Sequence, residues 1–377
     1  MKNILVLGLC LLCSVSIEAQ KRKTAAKVTA ASSISAQVLN TIQLDSTAAF
    51  TIYAEGNFLT FTTDGSFASV DSTGNKIWEQ RVFGDILVQP VISNKTIVIA
   101  TANNEINTYN LETGAQLQSI GTEESITAPL IVYNYSGSNE LMISKETNSK
   151  SALVFGMANG KISCIDLETL QEYWHNKDQK DTLFTKPILI NNKFVFTRGD
   201  GSLNCIDSNT GLLIWRWIGN ELSNFSKSEL KTDGKNIFVV SADSVLHSIN
   251  FLLGRLNWRL ENAKTDPKFF YSPSQNNLYL IHKNEKLIIF SVKEETGIDD
   301  FRLKSSLENN SYHFFEFGKK VFLVYNGIIY GAAEKLPLKE ILLLDNALVK
   351  TLFEINTNTF ALLGFNGKLT IFKMRQY

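Results

Sequence analysis

A phrase of nine or ten residues recurs down this chain, and its period constrains the fold more than any other feature. Val70-Asp71-Ser72-Thr73-Gly74-Asn75-Lys76-Ile77-Trp78 returns as Ile206-Asp207-Ser208-Asn209-Thr210-Gly211-Leu212-Leu213-Ile214-Trp215, with fainter copies between and beyond. Aligning the turn ahead of each copy gives eight anchors: Gly65, Asn104, Gly160, Gly201, Ser244, Glu285, Gly327 and Gly367. Their steps are 39, 56, 41, 43, 41, 42 and 40 residues. A period near forty means one supersecondary unit stacked on its own copies.

Six residues after each of the first six anchors stands a turn opener: Asp71, Asn110, Asp166, Asp207, Asn250 and Ser291. Such side chains bond their own backbone two or three residues on. A glycine follows at Gly74, Gly114, Gly211, Gly254 and Gly297, where a tight turn calls for positive φ. Four residues later comes a large ring at Trp78, Trp215, Trp258 and Phe301; Trp174 keeps the spacing although Leu170 replaces the glycine. The second repeat carries Gln118 at this place, and Trp217 has no counterpart in the other repeats.

Between these marks lie short apolar or alternating runs, at residues 96–100, 152–156, 194–197, 237–240, 278–282, 321–325 and 360–364. Bounded by Gly, Asn and Asp, they read as strands, and each period has room for four. The chain is expected to be all-β, an eight-bladed β-propeller of four-stranded antiparallel blades. The last repeat stops after its third strand at residues 368–374. Residues 36–44, at the other end, are expected to supply the missing outer strand and close the ring, so that no edge is left open.

Residues 1–19 hold Lys2, an apolar stretch from Ile4 to Ile17, and Glu18-Ala19. They read as a secretory signal peptide cut after Ala19, too short to span a bilayer. Lipid attachment needs a small residue before the modified cysteine, whereas Leu9 precedes Cys10 and Leu12 precedes Cys13. The chain is therefore expected to be exported without a lipid anchor. Residues 20–35, with Lys21-Arg22-Lys23 and Lys27, read as a flexible spacer, with peripheral contact to lipid headgroups as the other reading. Residues 36–377 form the single propeller domain. Charge is balanced, 37 Lys and Arg against 37 Asp and Glu. This is not the basic excess of a nucleic-acid binder.

Cys164 and Cys205 occupy equivalent positions in consecutive repeats. Neighbouring blades hold such points farther apart than the roughly 7 Å a disulfide spans, so two buried thiols are expected. The histidines His175, His247, His282 and His313 fall in different repeats, without the short spacing of zinc sites. No Gly-x-Ser-x-Gly, phosphate-cradling loop or Cys-x-x-Cys follows the leader, and neither catalytic residue, metal nor cofactor is assigned. The 56-residue step contains an insertion within residues 133–150, a projecting loop of the kind that meets partners. Tyr133, Tyr135 and Met142 are its candidate contacts, and an elongated hairpin without a partner is the alternative. Trp217 is a further candidate contact, against extra packing on its own strand. Phe269-Phe270-Tyr271 and Phe314-Phe315 are expected to bury as inner strands.

The phrase Asp207-Ser208-Asn209-Thr210-Gly211-Leu212-Leu213-Ile214-Trp215 resembles the repeat of the pyrroloquinoline-quinone-type propellers. Among these, an exported single-domain propeller is similar to the BamB-type family, accessory propellers of the outer-membrane β-barrel assembly machine. The resemblance implies that Trp78, Trp174, Trp215 and Trp258 are structural latches between blades, with Asp71, Gly74, Asp207, Gly211 and Gly254 shaping the turn. It also implies a non-catalytic scaffold of the cell envelope, periplasmic or outer-membrane-associated, a monomer working within a complex of protein partners such as the β-barrel assembly machinery. The same repeat builds quinone-dependent dehydrogenases, whose quinone stacks on adjacent cysteines beside a calcium and a catalytic Asp. Here no two cysteines are adjacent, and Asp-Asp occurs once, at Asp299-Asp300. A ligand-binding or quinone-dependent oxidoreductase propeller using the central channel is the alternative function.

Overall fold

Thirty-two strands in eight separate four-stranded antiparallel sheets make up the computed structural model, with no helix among the described residues. These residues are 34–135, 150–176, 186–219, 225, 228–261, 264–282, 286–303, 312–332, 339–343 and 348–377. The leader, most of the spacer, Met142 and the anchor Glu285 lie outside them. Blades 1 to 7 take their strands in chain order from residues 50–81, 91–121, 131–176, 188–217, 231–260, 270–302 and 313–343. Blade 8 takes three strands from residues 349–376 and its outer strand from the N-terminal side. That strand, Ile34–Gln43, pairs antiparallel with Lys368–Gln376, from Ile34 opposite Gln376 to Gln43 opposite Lys368. Leu44 N donates to Gly367 O at 2.9 Å, so the ring is closed by main-chain bonds between the two ends of the chain.

Side chains alternate along each strand, so every inner strand feeds two blade interfaces at once. In Asn57–Phe61, Phe58 packs back on Leu363 and Ile371 of blade 8, while Leu59 and Phe61 pack forward on Ile97 and Ile99 of blade 2. The buried apolar residues form eight clusters, one between each pair of neighbouring blades. The aromatic-rich segments pack inside: Phe269 and Phe315 are buried, and Phe270 stacks on Phe314 with centroids 5.8 Å apart.

The anchors are a repeated backbone feature. Gly65, Asn104, Gly160, Gly201, Ser244, Gly327 and Gly367 all hold φ between 62° and 92°. Asparagine and serine tolerate this left-handed turn between the second and third strands, although glycine does so at less cost.

Two expectations about the sixth blade are corrected. Positive φ falls on Glu295 (53°), whereas Gly297 lies inside the strand Thr296–Arg302. The residue opposite Ile289, in the register that Trp258 holds opposite Ser248, is Asp299. Phe301 is two residues further on, opposite Leu287, as Trp217 is opposite Leu203. Phe301 is therefore the counterpart of Trp217. A bulge just before the Trp position, shared by blades 1 to 6, sets this register and swings the outer strand.

Candidate interaction site

The turn openers act as the residue types dictate. Asp207 Oδ1 accepts from the amides of Asn209 and Thr210 at 2.9 and 3.0 Å, and Asn110, Asp166 and Asn250 repeat the arrangement. Asp71 accepts from the Thr73 hydroxyl and from the amides of Asn75 and Thr73, and these bonds hold its carboxyl down to about 2. These oxygens are engaged in shaping turns.

The turns of blades 2, 4 and 5 then meet the tryptophan of the blade before them. Trp78 Nε1 donates to Leu111 O at 3.2 Å, Trp174 Nε1 to Ser208 O at 2.9 Å, and Trp215 Nε1 to Phe251 O at 2.8 Å. The glycine four residues after the opener lies against the same indole. A Cβ on Gly114, Gly211 or Gly254 would stand 2.8, 2.3 or 2.5 Å from a ring atom of Trp78, Trp174 or Trp215. The glycine therefore answers to two demands, positive φ and the flat face of a neighbour's indole. Blade 2 carries Gln118 instead of a tryptophan, and the facing turn of blade 3 carries Leu170 at φ 58° in place of the glycine. Leu170 is buried with Val98 and Ile106 of blade 2. Gly74 faces only Ile42 of the closing strand. Trp258 packs between Phe238 of its own blade and Phe290 of the next.

Blades 6, 7 and 8 are joined further in, through polar groups. Lys268 Nζ donates to Tyr312 O, and Tyr312 OH donates back to Lys268 O at 2.6 Å. His313 Nε2 lies 3.4 Å from Val349 O, and Lys350 Nζ donates to Ala48 O of blade 1. Burial, together with the Lys268 cation, brings the His313 imidazole down to about 4, so it stays neutral. Nothing in the repeat phrase signals these bridges, because they lie at the starts of the first strands and just ahead of them.

Two candidate contact residues of the insertion, Tyr133 and Tyr135, turn inwards. Tyr133 is buried and donates to Ser208 O at 2.6 Å, the carbonyl that also accepts from Trp174. Tyr135 stacks on Tyr173 at 4.1 Å and donates to Asn209 O at 3.1 Å. Both rings bind blade 3 to blade 4. They sit in Ile131–Tyr135, which pairs antiparallel with residues 150–154. Trp217 packs on Phe225 and His247 at 5.3 and 5.8 Å, within the cluster between blades 4 and 5. Cys164 and Cys205 are free and buried opposite Trp174 and Trp215, and burial pushes each thiol up to about 12. Among the described residues no three His, Cys, Asp or Glu side chains gather as metal ligands.

Exposed apolar side chains lie on the outer rim, at turn tips and in connections such as the one that carries Phe83 and Leu87. Leu212 and Leu213 of blade 4 and Leu252, Leu253 and Leu256 of blade 5 face solvent, on two adjacent turns and the strands that follow. The residue types at the turns gave no advance notice of this patch beyond their departure from the polar tips of blades 1 to 3.

Comparison with known proteins agrees with this architecture. Residues 19–132 and 158–300 match the family described as outer membrane protein assembly factor BamB. A protein of that name from Shewanella oneidensis is 22% identical over 234 residues, 59% of this chain and 55% of its own length. The chain spans about half the length of the curated relatives it matches. The crystal structure of BamB from Moraxella catarrhalis superposes with a TM-score of 0.67 at 13% identity, covering 90% of this chain and 97% of that one. A quinohemoprotein alcohol dehydrogenase from Pseudomonas putida also shares the fold, with a TM-score of 0.61 at 11% identity over 90% of this chain and 76% of that one.

Proposed function

Because this chain belongs to the outer membrane protein assembly factor BamB family, we propose that it is a non-catalytic interaction scaffold of the cell envelope that assists outer-membrane β-barrel assembly. It is exported by residues 1–19, works in the periplasm or at the outer membrane, and acts as a monomer within a complex of protein partners. The observation that carries this reading is the family match, which runs through six of the eight blades. The contacts at the turns support it: Asp71 and Asp207 bond the amides of their own turns, and Gly211 and Gly254 lie against the indoles of Trp174 and Trp215. Binding then falls to surface complementarity at the turn tips, or to a partner strand adding to an outer strand such as Gln116–Gly121.

Cross-linking in intact host cells, affinity capture of the tagged protein and mass spectrometry test the proposal. Recovery of a β-barrel assembly component supports it, and recovery of no envelope protein sinks it. The oxidoreductase reading predicts a near-ultraviolet quinone absorption in protein purified from its own host, and a colourless preparation counts against it.

A further inference from the structure

Each of the eight sheets ends at the rim in an outer strand whose far edge pairs with no other strand of the ring. Such an edge is a template for a further strand, and charge, proline or a bulge along it discourages pairing. Lys76–Arg81, Glu172–Asn176, Leu213–Trp217, Arg255–Leu260, Thr296–Arg302 and Lys339–Leu343 all carry charge. Gln116–Gly121 of blade 2 and Ile34–Gln43 of blade 8 carry none. A bulge between Val38 and Asn40 interrupts Ile34–Gln43 in its middle, which twists that edge away. In blade 2 the bulge falls early, at Leu117, and Gln118 to Gly121 run on in unbroken register, exposed apart from the half-buried Ile120.

The hydrogen-bond phase shows what this edge offers. Thr122 N donates to Asn104 O at 2.7 Å, one step beyond the pairing of Gly121 with Glu105. Antiparallel ladders alternate, so Gln118 and Ile120 turn their main-chain groups in towards Glu105–Asn110, while Ser119 and Gly121 turn theirs out to solvent. A Cβ on Gly121 would meet nothing within 4 Å, so this end of the edge is open. Ile120 packs against the apolar cluster between blades 2 and 3, and an apolar side chain set opposite it would extend that cluster. The molecule also displays the kind of strand that a blade edge accepts. Ile34–Gln43 reaches blade 8 from the far end of the chain, is uncharged, and pairs edge-on with Lys368–Gln376.

We propose that the free edge of Gln116–Gly121 is a strand-acceptor site for an extended, uncharged segment of alternating apolar and polar residues, the pattern of a membrane-spanning β-strand that has not yet folded. Ser119 and Gly121 bond the main chain of the incoming strand, and Ile120 meets one of its apolar side chains. The inference rests on the assembly role proposed above; it names the class of strand and the blade that receives it.

The probe is a capped, dye-labelled peptide that alternates valine with threonine and glutamine over about ten residues, the length of one membrane-spanning strand. Its binding to the purified chain is followed by fluorescence anisotropy. The expected result is saturable binding that salt leaves unchanged, since neither strand is charged. Ser119→Pro removes an outward N–H that no bond within the blade uses, at a place where an edge strand tolerates proline. It should weaken binding about tenfold while melting stays at the parent temperature. Ser119→Lys, which sets a charge on the edge, serves if the proline variant misfolds. No binding, binding unchanged in a folded variant, or equal binding of the same peptide interrupted by prolines overturns the proposal. So does a chain that sediments as a dimer and becomes a monomer in Ser119→Pro, because the edge then belongs to a second copy. The peptide assay contains no assembly component, so its failure leaves the scaffold reading to the cross-linking test.

Discussion

Replacing Gly211 by alanine separates the two demands made on the turn glycine. At Gly211 φ is 70° and a Cβ would sit 2.3 Å from Cε3 of Trp174. At Gly234 φ is 88° and nothing lies within 4 Å of a Cβ. Gly234→Ala therefore meets only the left-handed strain, about 1–2 kcal/mol. Gly211→Ala meets the same strain and must also displace a 7%-exposed indole that is bonded to Ser208 O. Losing a buried tryptophan altogether costs about 3–5 kcal/mol, so the added term is about 2 kcal/mol for partial displacement, and Gly211→Ala should cost about 3–4 kcal/mol in all. The assay is urea unfolding followed by two probes, tryptophan fluorescence and far-ultraviolet dichroism, since repeat folds do not always unfold in one step. In a Trp174→Ala background the clash is gone, and Gly211→Ala should cost no more than Gly234→Ala does. The coupling between the two sites is then about 2 kcal/mol. The same cost for Gly211→Ala in both backgrounds would falsify the idea that the glycine serves the neighbouring indole.

Trp215→Ala should destabilise by about 3 kcal/mol, the low end for a half-buried ring that also loses its bond to Phe251 O, and an unchanged melting temperature refutes the latch role. His313 is held down to about 4 from an ordinary 6.5, so the unfolded chain binds a proton that the folded chain refuses. Its contribution is complete above about pH 6.5 and is lost as pH falls towards 4, up to about 3 kcal/mol. His313→Gln should flatten that part of the stability profile, and an identical slope in the variant removes the assignment. Deleting residues 137–148 should leave the melting transition in place, because Tyr135 and Lys150 pair and Ser136 and Ser149 remain to turn between them. Deleting residues 34–43 should strip Lys368–Gln376 of its outer partner and lower stability sharply; a variant that melts with the parent shows that closure lies elsewhere.

The features legible in the sequence are those whose physics is local. Asp207, Asn110 and Asn250 bond amides two and three residues on, and the anchors need only a residue that tolerates positive φ, so both recur visibly at a forty-residue period. The closing strand was legible as well, since one repeat lacked a strand and the other terminus had one to spare. What the tertiary structure decided are contacts between residues far apart in the chain. Trp174 meets a carbonyl 34 residues away and Tyr133 the same carbonyl 75 residues away, and neither spacing shows that Tyr133 points inwards. Gly297 misled because a glycine looks like the turn, yet the bulged register puts positive φ on Glu295 and leaves Asp299 in the tryptophan's place. The Lys268, His313 and Lys350 bridges had no signature at all. A main-chain carbonyl accepts from any donor that reaches it, and which donor reaches it is settled only when neighbouring blades pack.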